Sequence, residues 1–186
     1  MLGDLILNPT AIDDLPLELR TKPITFKLDP HAETIKSFAV DGNKIKMLHD
    51  NHHAFINHRE ILPLRGNISF AVRIIQSHSN IIFLGVGTKD LKQCSNTFSD
   101  PLFVGLYLHN GHIYGNGTNE SGPHLEIVPG KTIIRTLIKM TEGVVEWYCD
   151  RVKVASFELN ERMRARLLYP YLSLYSFDDQ LEMISG

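Results

Sequence analysis

The chain has 186 residues, enough for a single domain that buries its own core without metal or disulfide staples. Its 43% hydrophobic and 22% charged residues are those of an ordinary globular domain. A formal net charge of −2 supplies no domain-wide basic field, so nucleic acid is not an expected partner.

Residues 1–23 differ from the rest. Pro9, Pro16 and Pro23 flank an acidic-apolar stretch from Ala11 to Leu19, and proline restrains both itself and its predecessor, so no long helix fits. This segment reads as an arm or linker, with residues 24–186 forming the domain. Ile24 to Leu28 alternates apolar and polar residues until Asp29-Pro30 stops it. Phe38 to Val40 leads through Asp41-Gly42 into Lys44 to Met47, and Asp-Gly between alternating runs predicts a hairpin. Ile68 to Ile75 and Ile81 to Val86 flank a polar turn, Gln76 to Asn80, and are expected as neighbouring strands. Asn110-Gly111 joins Leu106 to Leu108 with His112 to Tyr114 in a second predicted hairpin. Further strands are expected at Thr132 to Lys139, Val144 to Tyr148, Val152 to Phe157, Leu167 to Tyr175 and Leu181 to Ile184. Only Leu159 to Leu168 suits a helix. Many short strands with frequent turns predict an all-β, antiparallel sandwich or barrel.

The motifs then fall into a recognisable order. Asn67 to Ile74 resembles the aromatic-x-apolar-charged strand of SPRY domains, and Ile81 to Gly87 resembles their "-VGV-" strand, followed by a long connection from Thr88 to Pro101. Phe103-Val104-Gly105 is similar to the family's "-WG-", with Asn110-Gly111 as its downstream "-NG-" hairpin. Val128 to Ile134 stands at its "GDVIGV", Val144 to Asp150 at its "-G-I-F-Y-N-G-", and Leu167 to Leu174 resembles its "-YP-V-L-" strand. The resemblance runs collinearly over residues 24–184. Lys131 replaces the acidic residue of "GD", Asp150-Arg151 the "NG" turn, and Phe103 the Trp of "WG". It implies a concanavalin-like β-sandwich that binds a peptide or folded partner, as a substrate-recognition domain of a ubiquitin ligase or a scaffold, within a larger protein or complex. A lectin-like, carbohydrate-binding sandwich is the alternative, but Asp100 and Asp178-Asp179 are too scattered for a calcium cage.

No cofactor and no catalytic set are expected. His49, His52, His53 and His58 lie close together but without the regular spacing of a zinc motif, in a segment that reads as loop from Asp50 to Asn57. Glu146 stands alone on its strand, so a glycosidase pair of carboxylates cannot be assembled. Cys94 and Cys149 have neither a CxxC partner nor a local activating group and read as reduced thiols. Met1 to Leu7 lacks the basic start of a signal peptide, and no run approaches the roughly 20 apolar residues of a membrane span. A cytoplasmic or nuclear location without a membrane partner follows as the expectation. The sequons at Asn67, Asn116 and Asn119 carry no meaning in that setting.

Binding is expected on loops, because strands fix loop ends rigidly. The resemblance implies that the long connections Leu48 to Leu64 and Thr88 to Pro101 gather at one end of the sandwich around a peptide pocket. That names Asn51, His52, His53, Phe55 and Arg59 in the first, and Lys89, Asp90, Gln93 and Phe98 in the second. Tyr107 and the Asn116 to Pro123 loop, with Asn119, come third. Phe55 and Phe98 are the candidate apolar anchors. Trp147 and Tyr148 must point to opposite faces, Trp147 inward, and Tyr169, Tyr171 and Tyr175 should share the face opposite Leu168, Leu172 and Leu174.

Overall fold

The computed structural model describes residues 22–23, 37–49, 54–57, 62, 65–88 and 100–184. In chain order its strands are β1 (Lys22–Pro23), β2 (Phe38–Asp41), β3 (Lys44–Met47), β4 (Ala54–Asn57), β5 (Asn67–Gln76), β6 (Phe83–Thr88), β7 (Phe103–Tyr107), β8 (Ile113–Gly115), β9 (Thr118–Glu120), β10 (Ile133–Lys139), β11 (Val144–Cys149), β12 (Val152–Glu158), β13 (Leu168–Leu174) and β14 (Gln180–Ile184). One short helix, α1 (Glu161–Arg164), lies between β12 and β13.

The strands make two sheets. One has the order β12-β11-β10-β5-β14-β3-β2, with β1 added in parallel to β5; the other has the order β4-β13-β6-β7-β8-β9. Every other pairing is antiparallel. The all-β sandwich read from the sequence is therefore the observed fold. Turn chemistry accounts for the hairpins. Asp41 pairs with Lys44 around Gly42, which sits at φ +59°. Cys149 pairs with Val152 around Asp150 (φ +46°) and Arg151 (φ +80°), the two left-handed positions of a type I′ turn. The Asp-Arg pair thus builds the same turn that Asn-Gly builds, with Arg151 in a conformation that a non-glycine residue adopts at a cost.

Three expectations from the sequence about the strands need correction. The Asn116 to Pro123 stretch, expected as a loop, contains β9 paired with β8. Strands β5 and β6 are consecutive but not neighbours: β5 lies between β10 and β14, β6 between β13 and β7. The polar segment after β5 crosses from one sheet to the other, with Asn80 at φ +54° and Ile82 N–H donating to Asn80 O. The stretch from Asp50 to Asn57 is not all loop either. Ala54–Asn57 forms β4, an edge strand paired with Leu174 to Tyr171 of β13. Its Ala-Phe-Ile run is apolar enough to pair once a partner strand is present, and local sequence alone does not reveal that partner.

The inter-sheet core takes one face of each sheet. Ile68, Phe70, Val72 and Ile74 of β5 meet Leu84 and Val86 of β6, with Leu172 and Leu174 of β13 and a fully buried Trp147 of β11. Strand β13 is buried along its whole length, so its other face needs a second cover. Tyr169 and Tyr171 supply it with Phe83 and Phe103, in a separate aromatic cluster on the far side of the six-stranded sheet.

Candidate functional site

Register builds this second cluster. In β6 and β7 the core takes Leu84, Val86, Val104 and Leu106, so Phe83, Gly85, Phe103, Gly105 and Tyr107 face away from it. Phe83 pairs with Tyr107, and Gly85 with Gly105. Gly105 pairs onward with Tyr114 of β8, and Tyr114 with Asn119 of β9. The glycines make room for rings. A Cβ on Gly105 would sit 2.5 Å from Phe103 Cζ, so the Phe103 ring lies over the Gly105 backbone. A Cβ on Gly85 would stand 2.0 Å from Val104 O, so the two strands approach more closely there than any side chain allows.

The rings pack in two modes. Phe83 stacks on Tyr107 with centroids 4.3 Å apart and planes 6° from parallel, while Tyr114 meets both edge-on, at 5.6 Å and 5.9 Å. Phe103 links the group to Tyr171 at 6.3 Å and 89°. Offset stacking and edge contacts of this kind suit the ring quadrupoles. Phe83 and Phe103 are buried, whereas Tyr107 and Tyr114 are half-exposed and end the cluster at the surface. Burial pushes the Tyr107 hydroxyl above its usual range, reinforced by Tyr114 and Tyr175, so it stays protonated and can donate.

Two histidines frame the exposed end. His109 lies 5.6 Å from the Tyr107 ring, and its Nδ1 is 2.8 Å from Ser79 O. A carbonyl oxygen only accepts, so Nδ1 carries the proton. His112 lies 6.4 Å from the Tyr114 ring, its Nδ1 3.0 Å from Asn119 Oδ1, and its N–H donates to Asn110 Oδ1 at 2.9 Å. The result is a small platform of two phenols, two imidazoles and a carboxamide.

Of the residues singled out from the sequence, Tyr107 and Asn119 meet on this platform, bridged by Tyr114. Phe55 occupies the register position opposite Ser173, in the row that continues through Phe83 to Tyr107. Asn51, His52, His53, Arg59, Lys89, Asp90, Gln93 and Phe98 lie outside the described residues. The anchors of their segments are well defined. Ala54 pairs with Leu174 at one end of the six-stranded sheet, whereas Thr88 N–H donates to Leu102 O at the other. Leu62 is core, its N–H donating to Leu168 O at that same far end. Phe83, Tyr114, His109 and His112 were not singled out from the sequence. Their signal was the glycine at every second position beside aromatics, which reads equally well as ordinary strand. The expected alternation holds for Tyr169 and Tyr171, while Tyr175 lies beyond the end of β13. Tyr171 is packing: it is buried, with its hydroxyl donating to Thr88 O at 3.1 Å.

Other groups are engaged structurally. Buried Asp179 accepts the N–H groups of His78 and Ser176 at 3.0 Å each, bracing the β13–β14 turn against the β5–β6 crossing. A concavity of about 490 Å³ lies elsewhere, between the β11–β12 hairpin and the 124–132 segment, with Val128 and Val152 among its lining. It is broad and open, and its thiol, Cys149, is pushed up by burial and by Asp150, the reverse of an activated nucleophile. Volume alone does not make it the better site, since the platform's tyrosines are held on mutually packed rings whereas this concavity is lined largely by exposed residues. Among the described residues no three His, Cys, Asp or Glu side chains converge as metal ligands; of the early histidines only His49 is described, exposed. No helix among the described residues is long and apolar enough to cross a membrane.

At the sequence level no family model matches the chain, and no curated protein matches it. The fold does match. The TRIM65 PSpry domain superposes with a TM-score of 0.70 at 16% identity, covering 89% of this chain and 94% of that one. The human HERC1 SPRY domain gives 0.66 at 13% identity, covering 86% and 98%. A stonustoxin structure gives 0.67 at 12% identity, with 90% of this chain covering 28% of the toxin. These likenesses, with the two sheets and their order, establish that this chain has the SPRY fold.

Proposed function

We propose that the domain is a protein-interaction module without a catalytic site of its own, contacting a peptide or folded partner through the Tyr107–Tyr114 platform. The observation that carries this reading is the half-exposed end of the ring cluster, where phenol, imidazole and carboxamide groups stand side by side on a rigid sheet. Tyrosines held this way offer contact area and a polar handle at little entropic cost. The segment holding Asn51, His52 and His53 enters β4 at Ala54, near the end of the sheet where Tyr107 stands, and it extends the proposed surface. The segments that hold Arg59 and Lys89, Asp90, Gln93 and Phe98 are anchored at the opposite end of the sheet, at Leu62 and at Thr88 and Leu102, so these residues are proposed as a separate contact and not as part of the platform. Within a larger protein, such a module would serve as the substrate-reading part of a ubiquitin ligase or of a scaffold. The sugar-binding alternative is weaker, since one face of the Tyr107 ring is already taken by Phe83.

The test starts with affinity capture by the intact chain, followed by direct titration of the purified partner. His112→Ala and Asn119→Ala remove groups at the surface, and Tyr114→Ala removes a ring. Tyr114→Ala is expected to weaken binding by about 2 kcal/mol or more. The two smaller changes should cost less and leave the thermal midpoint unmoved. Unchanged affinity in all three variants would move the site elsewhere, and saturable binding to a glycan array with no protein partner would favour the lectin reading.

A further inference from the structure

The outer face of the eight-stranded sheet lies on the opposite side of the molecule and holds charges that the platform does not use. Strand register places Ser69, Leu137 and Glu146 in one row and Ala71, Arg135 and Tyr148 in the next. Glu146 is buried, and its carboxylate is saturated: it accepts from Lys153 Nζ at 2.6 Å, Tyr148 Oη at 2.8 Å and Lys139 Nζ at 3.4 Å. Arg73, one row further, is closed by Glu182 at 2.6 Å. Arg135 differs. It is half-buried, and among the described residues its one hydrogen bond is from Nη1 to Ser69 Oγ at 3.3 Å. Among the described residues no carboxylate comes within ion-pair distance of it. Burial, and then the charge of Arg151, lower its affinity for its proton.

A half-buried guanidinium with one protein hydrogen bond and no carboxylate beside it among the described residues is a poorly compensated charge, which an incoming carboxylate relieves. Glu146 and Glu182 are engaged by Lys153, Lys139 and Arg73, and Asp150 accepts the Ile133 N–H. Arg151, exposed on the β11–β12 turn three residues beyond Tyr148, the register partner of Arg135, brings a second positive charge to this end of the sheet. The planar fork of Arg135 matches the two oxygens of a carboxylate. The chain as a whole carries a formal charge of −2, so there is no continuous cationic track to follow a phosphate backbone. We infer that Arg135 and Arg151 form a carboxylate-binding site on the outer face of the eight-stranded sheet, which takes an Asp or Glu side chain from an acidic peptide segment of a partner. This surface and the tyrosine platform lie on different sheets, so each reading stands or falls separately.

Titration of the ¹⁵N-labelled chain with a hexaglutamate peptide, following arginine Nε–Hε and backbone resonances, tests it. The Arg135 signal should shift saturably, while hexaglutamine should leave it in place. Arg135→Gln should weaken binding by about tenfold or more, the loss of one charge-assisted hydrogen-bond pair. Arg151→Gln, on an exposed turn, should weaken it several-fold without altering the fold and guards against a folding defect in the first variant. Lys131→Gln serves as a control and should have no effect. Shifts that grow linearly and spread over exposed lysines, unaltered by Arg135→Gln, would overturn the assignment. So would saturable binding of inorganic phosphate with none of hexaglutamate.

Discussion

The indole Nε1 of Trp147 donates to Leu84 O at 2.9 Å, tying β11 of one sheet to β6 of the other through the middle of the core. Trp147 is fully buried, so its N–H has no access to water and must find a protein acceptor. Trp147→Phe should cost about 2–4 kcal/mol, combining a lost buried hydrogen bond with the cavity left by the smaller ring. Urea unfolding measures the loss. Because the residue lies on the far side of the six-stranded sheet from Tyr107 and Tyr114, the folded variant should keep its partner affinity.

The facing glycines make a graded prediction. At Gly105 an added methyl meets the Phe103 ring, which can tilt; at Gly85 it meets the Val104 carbonyl and the Gly105 Cα, which cannot move without separating the strands. Gly105→Ala should therefore cost about 1–3 kcal/mol and disturb the Tyr107 and Tyr114 ring resonances. Gly85→Ala should be clearly worse, to the point of losing soluble folded protein. Equal, small effects at both positions would show that the sheet is less tightly built than this register implies.

Much of this was legible in the sequence, in proportion to how local the determining physics is. The Asp41-Gly42 and Asn110-Gly111 hairpins, the inward Trp147 and the two-faced tyrosine strand all follow from turn chemistry and period-two alternation. The pairing partners of β5 and β6 do not, because alternation says which side chains share a face and nothing about which strand lies alongside. Strand β9 was hidden in a supposed loop although Asn116-Gly117, both at positive φ, announces its hairpin. In the site, Tyr107 and Asn119 were visible as polar-tipped residues near turns. Phe83 and Tyr114 became meaningful only when the register of β6, β7 and β8 set them beside the glycines.

Glu146 should give the domain an acid-sensitive term. Burial works against its charge, but hydrogen bonds from Lys153 and Tyr148 and the charges of Lys153 and Lys139 outweigh this and hold the carboxyl below its usual range. The folded state therefore binds this proton less readily than the unfolded chain does, so the stabilisation is present above the ordinary value of 4.5 and fades as pH falls through the lower folded value. Glu146→Gln should cost about 1–3 kcal/mol at neutral pH, since both lysines remain partly solvated, and should flatten the decline in stability below pH 4.5. Unfolding measured from neutral pH down through that range decides it. A variant with the wild-type slope would assign the acid response to other carboxylates.

Asn160 joins three elements at the end of the sandwich opposite Tyr107. Its Oδ1 accepts Met163 N–H at 2.8 Å, capping α1, while its Nδ2 donates to Pro101 O at 2.8 Å and Asn116 Oδ1 at 2.6 Å. Those last two bonds fasten the C-terminal anchor of the 89–99 segment and the β8–β9 turn to the helix. The two functions separate by substitution. Asn160→Asp keeps the capping acceptor, and a carboxylate at a helix N-terminus is favourable, but it faces Pro101 O and Asn116 Oδ1 with no proton to offer. Asn160→Ser also keeps a cap, without the added repulsion. Serine should cost about 1–2 kcal/mol, aspartate more at neutral pH, and protonating the aspartate in mild acid should recover part of the difference. If the cap were the main contribution, both variants would match wild type, whereas Asn160→Ala alone would lose about 1 kcal/mol. Comparing the three by urea unfolding at two pH values therefore tells whether Asn160 serves chiefly the helix or the anchor of the long connection.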